Sequence, residues 1–417
     1  MKKTKTRLLA IAVSLTALCM LPFCAKHDQT TGMITPVVNT DTLNAVKGTP
    51  AVHPQGGSAW DGTVEAAWNN APKLTVQAVV PDLGNGTFAG FIGNSTDITM
   101  RSMYDANNIY FLIEYTTAQK NIKRSPWYYS PATKQWVEED VAPTQNADGT
   151  YRPAFAEDRF LMMFNISCPA FNTLSCYAAC HAASTYSTAP TTGGNMRTNG
   201  PAEVLDVWTA GMVQALNVNQ ADDDFIDDGS ASGNSGLLNN TAVNTDNQAN
   251  SSDGGFDNSQ TLNVTGTGVP VQVPLWIIPS GSYTNGGIMI KETLAGGAAV
   301  QVTAVDSNGV LTLSNGSSID PRTGTDYKQI GALDGPKCIP GSVIAAFTGS
   351  RGDVTANAFY TGTSWRLLFK RALKTSDSAN DVDFSSLGNQ PFGVAAMFNG
   401  ADNEHAIMAG LILHFNK

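Results

Sequence analysis

The sequence is short of positive charge and of histidine. Lys and Arg total 25 against 35 Asp and Glu in 417 residues, which gives a formal net charge of -10. No basic cluster follows the first seven residues, so the chain lacks the positive surface that nucleic acids require. Only five His are present, and the sequence contains neither a serine-histidine-acid arrangement nor a phosphate loop. It therefore predicts no nucleic-acid partner and no independent catalytic set.

Long apolar runs are also missing after the N-terminus. Leu8–Leu21 is an apolar stretch too short for a mature transmembrane helix, and it follows a basic N-terminus, as in an export signal. The stretch ends in Leu21-Pro22-Phe23-Cys24, which resembles the end of a bacterial lipoprotein signal. We therefore predict a signal peptide at residues 1–23 and a lipid anchor at Cys24. Phe23 is larger than the residue that usually precedes such a Cys, which leaves cleavage and release as the alternative. Either way, the protein is expected in the periplasm, at the outer membrane or on the cell surface.

Composition divides the rest of the chain. Residues 24–55 show no periodicity and predict a flexible tether, followed by one domain at 56–417. Residues 222–262 are rich in Asp, Asn, Ser and Gly and predict a long surface loop. Its Asp222–Asp228 run offers oxygen ligands for Ca²⁺ but lacks the EF-hand spacing, so a solvated loop is the favoured interpretation. Residues at about 265–335 predict a small β insertion.

Helical periodicity is scarce, whereas short β-type segments recur between turn signals. This pattern predicts an all-β fold, an antiparallel β-sandwich with long loops and few short helices. Asn308-Gly309 lies between two apolar segments and predicts a hairpin turn inside the insertion. The main predicted strands are 108–115, 159–164, 342–347, 365–370 and 392–398.

The motif that carries chemistry is Cys176-Tyr177-Ala178-Ala179-Cys180-His181. It is similar to the C-x-x-C-H signature of c-type haem attachment, with one additional residue between the cysteines. Two neighbouring thiols can bond the two vinyl groups of one porphyrin, and the adjoining imidazole can ligate the iron. We therefore predict one covalent haem c bound through Cys176 and Cys180, with His181 as the proximal ligand.

Other uses of these cysteines remain open at this stage. The pair could form a disulfide or half of a zinc site, and a zinc site would need Cys168 and Cys338 as its further ligands. In an oxidising compartment Cys168 and Cys338 could instead bond each other. Sequence alone does not place their Cα atoms within bonding range.

A haem in an electron carrier usually has a second protein ligand. His405, just beyond the predicted strand 392–398, is the first candidate, and Met196 is the alternative, with Met212 also considered. A solvent-exposed loop imidazole is the plain interpretation of His405. His414 lies in an apolar segment and is expected to be an ordinary strand residue.

Besides the haem motif, several weaker motifs occur in order along the chain, at 60–62, 67–72, 104–115, 157–160, 196–198, 205–208, 349–354, Trp365, 370–371, 381–384 and 392–405. With these segments in this order, the chain resembles the haem-binding domain family related to the γ subunit of ethylbenzene dehydrogenase, in the group that carries a haem-attachment motif.

The resemblance implies a β-sandwich with haem near one end and electron transfer as the role. It implies a non-catalytic haem subunit or free-standing carrier with a redox partner, any molybdenum or iron-sulfur centre being on another chain. Family members without the cysteine motif are thought to ligate haem with a Met and a Lys from the last hairpin, the region of His405. Trp208 is a candidate haem-packing residue, although a core position is the plainer interpretation. Thr209–Met212 departs from the family, which usually has an aromatic and a basic residue there.

A carbohydrate-binding β-sandwich is the alternative function. The segments 60–62 and 67–68 also look like the start of such modules. In this hypothesis four aromatic residues would be exposed and would stack on sugar rings: Trp127, Tyr128, Tyr129 and Trp136.

Overall fold

The structure of the protein is a computed structural model. It describes residues 41–82, 90–118, 120–139, 144–145, 151–152, 157–179, 198, 200, 202–227, 245–246, 255–279, 289–291, 294, 296–324, 326–328, 337–398 and 405–417.

The described residues are mostly strands, with a few short helices. The strands are β1 (Asp41–Lys47), β2 (Leu74–Val79), β3 (Ser95–Tyr104), β4 (Asn108–Thr116), β5 (Trp127–Ser130), β6 (Gln135–Glu138), β7 (Thr144–Gln145), β8 (Tyr151–Arg152), β9 (Arg159–Asn165), β10 (Leu205–Gly211), β11 (Asp222–Ile226), β12 (Thr245–Asp246), β13 (Phe256–Asp257), β14 (Ser259–Asn263), β15 (Pro270–Pro274), β16 (Trp276–Ile277), β17 (Met289–Ile290), β18 (Val300–Val305), β19 (Leu311–Leu313), β20 (Ser318–Ile319), β21 (Ser342–Ile344), β22 (Thr355–Tyr360), β23 (Ser364–Ala372), β24 (Gln390–Met397) and β25 (His405–Phe415). The helices are α1 (Phe171–Leu174), α2 (Met212–Asn217) and the 3₁₀ turns Ala66–Asn70, Ser175–Ala178 and Gly349–Gly352. None of the helices described here has the length and apolarity needed to cross a membrane.

One large sheet organises the molecule. In the described residues it has 12 strands in the order β12-β11-β10-β9-β24-β25-β1-β3-β4-β23-β22, with β2 pairing to β25 and β3 off this path. Most pairs are antiparallel, but β1 runs parallel to both β25 and β3. The predicted all-β class is confirmed. The predicted strands 108–115, 159–164 and 365–370 lie within β4, β9 and β23. The predicted strand 392–398 passes the end of β24 by one residue, and 342–347 passes the end of β21 by three.

The sheet folds over so that its two halves pack face to face. Phe111 of β4 lies 6.2 Å from Phe164 of β9, measured between ring centroids, although four strands separate β4 from β9 in the sheet. Trp208 of β10 and Phe369 of β23 meet in the same way at 6.4 Å. All four side chains are fully buried in one apolar core. Such contacts between non-neighbouring strands define a sandwich.

The two ends of the sheet also approach each other. Ala221 donates its amide to the Val354 carbonyl at 3.1 Å, and Ala356 donates to the Asn219 carbonyl at 3.1 Å. These bonds join the segment before β11 to β22. They satisfy backbone groups that an open sheet edge would leave exposed.

The predicted tether at 24–55 extends too far. Residues 41–47 form β1, which lies inside the sheet between β25 and β3, and Leu43 and Ala45 are fully buried. The segment carries only these two inward apolar side chains, so its composition resembles a linker. It becomes a strand because it pairs with β25, the last strand of the chain. Residues 24–40 lie outside the described residues.

The predicted surface loop at 222–262 begins too early and ends too late, because strands occupy both of its ends. Asp222–Ile226 is strand β11, paired antiparallel with β10, and Asp223 and Asp224 are buried. Arg351 binds Asp222 through two hydrogen bonds of 2.6 and 2.7 Å, and the β10 partner covers the strand. Residues 256–263 carry β13 and β14, and 228–244 and 247–254 lie outside the described residues.

A second β unit packs beside the sandwich. Its core brings Trp127 and Trp136 of the β5–β6 hairpin against apolar residues of β15, β16, β18 and β19. The predicted Asn308-Gly309 hairpin is confirmed as the β18–β19 pair, and Gly309 takes the positive φ of 80° that such a turn favours. The inserted unit thus extends beyond 265–335, because it recruits β5, β6 and β14.

Candidate functional site

The haem-motif segment starts in a compact turn after β9. Asn165 at the end of β9 accepts the Cys168 amide through its side chain at 2.9 Å, and the buried ring of Phe171 anchors α1. Ser175 then adopts a positive φ of 51°, which breaks the helix before the 3₁₀ turn that contains Cys176. The first cysteine of the motif is therefore held by an ordered segment.

Cys176 lies on the outer face of the sandwich layer formed by β9, β24 and β25. It packs against a small apolar cluster that includes Met163 of β9 and Val207 of β10. Gly393 of β24 permits this approach, since a Cβ there would lie 3.0 Å from the Ser175 hydroxyl and 3.6 Å from the Cys176 Cβ. A larger side chain at position 393 would displace the turn.

His405 is the first residue of β25 and faces the same side. It pairs with Met397 of β24, and Met397 pairs with Arg159 of β9. Met397 is four residues beyond Gly393, so the two positions share a face. At a rise of about 3.3 Å per residue, they are about 13 Å apart along the strand. His405 therefore shares the outer face with Cys176. The alternative interpretation of His405 as a solvent-exposed loop residue is wrong, because it is a partly buried strand residue.

The protonation state of His405 suits metal ligation. The residue is partly exposed, yet enough protein surrounds the ring that burial lowers its pKa to about 4. The imidazole is then neutral at pH 7, which is the form that binds a metal ion. His414, in contrast, is a strand residue near the other end of β25, with Nδ1 2.7 Å from the Asn389 side-chain oxygen, as expected.

The structure contains no disulfide between Cys168 and Cys338. Cys168 is a free, fully buried thiol whose Sγ lies 3.6 Å from a Glu203 carboxylate oxygen. Burial and the charge of Glu203 raise the pKa of this thiol to about 11, so it stays protonated. Cys338 packs elsewhere, beside Tyr128. The fold has put the two cysteines into separate clusters.

The alternative of a zinc site is not supported either, because Cys168 and Cys338, its two further ligands, lie in separate clusters. Within the described residues, the side chains close enough to share a metal ion are three aspartates, and no cysteine belongs to that group. Cys338 lies in a different cluster from Cys168 and Cys176.

Trp208 and Met212 are core residues. Both are fully buried in the main core, and Trp208 lies 4.9 Å from Phe164, measured between ring centroids. This core is on the inner face of the layer, whereas Cys176 lies on its outer face. Trp208 and Met212 thus occupy core positions, the plainer interpretation of both, and the haem-packing role considered for Trp208 stays a prediction.

Four predicted site residues lie outside the described residues. They are Cys24, Cys180, His181 and Met196. Their assignments as lipid anchor, second thioether, proximal ligand and alternative distal ligand stay predictions.

The expectation that an aromatic patch is exposed for sugar binding is wrong. Trp127, Tyr128, Tyr129 and Trp136 are all buried. The two indoles also donate hydrogen bonds into the second β unit, to the Asn258 and Gly309 carbonyls. These side chains are enclosed by the second β unit and leave no stacking surface.

A buried charged cluster was not foreseen. Asp206 of β10 accepts Arg371 Nη1 at 2.6 Å, and both side chains have no solvent exposure. Arg371 also donates to the Val382 carbonyl and lies 4.9 Å from the Trp208 ring centroid. The sequence does carry a signal for this pair, because Asp206 lies inside the apolar run 204–208. A charged residue in a buried strand is found almost only with a partner of opposite charge.

The fold and site define a β-sandwich protein that carries a cysteine-containing turn and a partly buried histidine on one outer face. The chain belongs to the ethylbenzene dehydrogenase family, whose model matches residues 65–408. Membership indicates a component of a redox complex related to that dehydrogenase. A search of curated proteins returned no match. The family match spans the haem motif and His405 and confirms the resemblance drawn from sequence.

Proposed function

We propose that this protein is an exported c-type cytochrome that carries one haem and transfers electrons within a redox complex. The observation that carries the proposal is the shared outer face: Cys176, the first cysteine of the haem motif, and His405 lie on one side of the β9–β24–β25 layer. His181 follows Cys176 by five residues, so a ligand from the motif and one from β25 can be expected on the same surface.

Three features of the described residues support haem binding on this face. Gly393 leaves room for the cysteine turn, Ala395, Met397 and Ile407 are apolar side chains of that face, and burial keeps the imidazole of His405 neutral at pH 7. An apolar surface favours a flat macrocycle and limits solvent access, and both properties influence the potential of a haem. The additional residue between Cys176 and Cys180 is the feature that departs from the usual signature.

In this proposal Cys176 and Cys180 hold the haem through thioethers, His181 is the proximal ligand, and His405 is the distal ligand. Met196 is the competing distal residue. The bound haem would supply one-electron transfer. The protein's own contribution is to orient the ligands, shield one face and present an edge to a partner.

Export completes the proposal. The basic start and apolar stretch before Cys24 support secretion, and lipidation of Cys24 would tether the domain to a membrane of the envelope. The partner is a redox protein, and the family match supports assembly with other subunits of an oxidoreductase.

The proposal is tested by producing the full chain with a c-type haem assembly system. We expect haem that resists acid-acetone extraction, a pyridine haemochrome typical of thioether-bound haem, and a low-spin spectrum after reduction. A polypeptide that is exported and folded but carries no haem would overturn the proposal. Haem that is fully extracted would instead indicate a b-type protein and would contradict the roles of both cysteines.

The distal ligand is tested separately with His405→Ala. Loss of the imidazole is expected to convert the haem from low spin to high spin, as seen by visible and electron paramagnetic resonance spectra, while covalent attachment persists. His414→Ala is the matched control, because it removes a histidine from the same strand near its other end. A low-spin spectrum that survives in His405→Ala would assign the distal position to another residue, with Met196→Ala as the next variant.

A further inference from the structure

Three aspartates meet inside the sandwich, away from the cysteine turn. Asp206 and Asp223 come from the paired strands β10 and β11, and both lie on the inner face, as does Trp208. Asp381 reaches them from the segment between β23 and β24. All three are at most 2% exposed. The cluster therefore joins two strands and one connecting segment through charged groups that water does not reach.

The cluster carries more negative charge than its one described cation neutralises. Arg371 binds Asp206 Oδ2, which also accepts the Val382 amide at 2.9 Å. Asp206 Oδ1 and both carboxylate oxygens of Asp223 have no hydrogen-bond partner among the described residues. A buried carboxylate without a partner is strongly unfavourable, so Asp223 requires a positive charge or a proton.

The oxygen atoms are spaced for a single ion. One carboxylate oxygen from each of the three aspartates lies within 4.8 Å of the others. Ca²⁺ binds oxygen at 2.3–2.6 Å, so two of its ligands can be up to about 5 Å apart on opposite sides of the ion. All the offered atoms are carboxylate oxygens, the hard ligands that Ca²⁺ prefers, and none is a sulfur or an imidazole nitrogen.

We propose that Asp206, Asp223 and Asp381 form a buried Ca²⁺ site that fastens the segment between β23 and β24 to strands β10 and β11. Asp206 contributes Oδ1, because Oδ2 is occupied by Arg371. Asp223 contributes the carboxylate that has no other described partner. The proposal does not rest on haem binding, and it replaces the Ca²⁺ loop considered at Asp222–Asp228, of which only Asp223 takes part.

Nearby charges favour a cation over an empty cluster. Asp224 and Asp377 add negative charge next to Asp223 and Asp381, respectively, and Asp353 adds more beside Arg371. With three ionised aspartates and one arginine, the cluster has two excess negative charges. One divalent ion neutralises them. Mg²⁺ is the weaker candidate, because it gives up its water reluctantly and usually binds few carboxylates.

Protons are the competing occupants. The carboxyl groups of Asp206 and Asp223 lie close to each other. They can form a hydrogen bond with each other only when one of them is protonated. Burial and the charge of Asp206 raise the pKa of Asp223 well above its usual range, and the same two causes raise the pKa of Asp381 to about 7. A proton-filled cluster would be most stable at low pH, whereas Ca²⁺ would bind best at high pH.

The test compares thermal unfolding of the full-length protein in EDTA and in millimolar Ca²⁺, at pH 8 and at pH 5. At pH 8 we expect Ca²⁺ to raise Tm by about 4 °C or more at saturation, with a smaller rise from Mg²⁺. At pH 5 the rise should shrink, because protons compete for the same oxygens. Elemental analysis after equilibration in Ca²⁺ and desalting should find one Ca²⁺ per chain.

Asp223→Asn distinguishes the two occupants. In EDTA at pH 8 it should have a Tm equal to or above that of the unmodified chain, because an uncompensated buried charge is gone, and it should lose the response to Ca²⁺. Asp97→Asn, an exposed aspartate of β3, is the matched control and should keep the response. Asp381→Asn serves as the second variant if Asp223→Asn does not fold. No Ca²⁺-dependent rise at pH 8, or a rise that these variants retain, would overturn the proposal in favour of protons.

Discussion

Replacing Cys176 and Cys180 together with alanine is expected to abolish covalent haem attachment. Both thioethers would be lost, so no haem should stay with the polypeptide after acid-acetone extraction, whereas the unmodified chain should retain all of it. Haem staining after denaturing electrophoresis measures the loss, and an immunoblot of the same sample shows that the polypeptide is present. This is the largest change expected from any substitution in the chain.

The structure supplies the control for that experiment. Cys168 packs in the same apolar cluster as Cys176, but its thiol is buried, protonated and hydrogen-bonded to Glu203. Cys168→Ala should therefore keep the covalent haem. Attachment that persists in the double variant, or that disappears equally in Cys168→Ala, would contradict the assignment of the motif.

Arg371→Met is expected to cause the largest loss of stability. Arg371 has no solvent exposure, pairs with Asp206 at 2.6 Å and lies over the rings of Trp208 and Phe384. Its removal leaves buried carboxylates without their cation, and breaking a buried pair in this way costs about 3–5 kcal/mol. The free energy of unfolding, measured by urea titration in EDTA at pH 8, should fall by that amount.

Arg366→Met on the same strand is the matched comparison. Arg366 pairs with Glu114 at 2.9 Å at the surface, with side chains 27% and 40% exposed, so its loss should cost about 1 kcal/mol or less. Adding Asp206→Asn to Arg371→Met should recover part of the loss, because the unpaired charge is removed. Equal losses from the two arginine variants would contradict the buried-pair interpretation.

The Arg371 variant should also show a defined pH dependence. Burial raises the pKa values of Asp223 and Asp381 above that of an unfolded aspartate, so the folded state binds more protons than the unfolded state between about pH 4 and the raised pKa values. Stability from these groups is therefore present at low pH and is lost as pH rises. The deficit of Arg371→Met should shrink from pH 8 to pH 5.

The pattern of apolar residues was sufficient to predict the strands whose side chains are buried in the main core. The strands around Phe111, Phe164 and Phe369 follow from runs of apolar residues, because such runs are stable only when both faces are covered. The haem motif was recognisable because two cysteines and a histidine stand close together in a chain with five histidines. Family membership followed from the order of weaker motifs.

The sequence pattern gave wrong predictions for segments whose structure depends on contacts with residues far away in the chain. Residues 41–47 look like a linker until β1 pairs with β25, at the other end of the chain. Asp222–Ile226 looks like a solvated acidic loop until Arg351 binds Asp222 and β10 covers the strand. Trp127 and Trp136 look exposed until the second β unit encloses them. In each case the deciding contact is more than 100 residues away in sequence or comes from another unit of the fold.

The sequence by itself determined the β class, the family and the candidate haem ligands, because these depend on local composition and on the identity and order of short motifs. Only the tertiary structure decided which candidates share a surface. It placed Cys176 and His405 on one outer face, separated Cys168 from Cys338, and gathered Asp206, Asp223, Asp381 and Arg371 in the interior. The physical reason is that register and layer packing set the direction of each side chain, and both are properties of strands that are far apart in the chain.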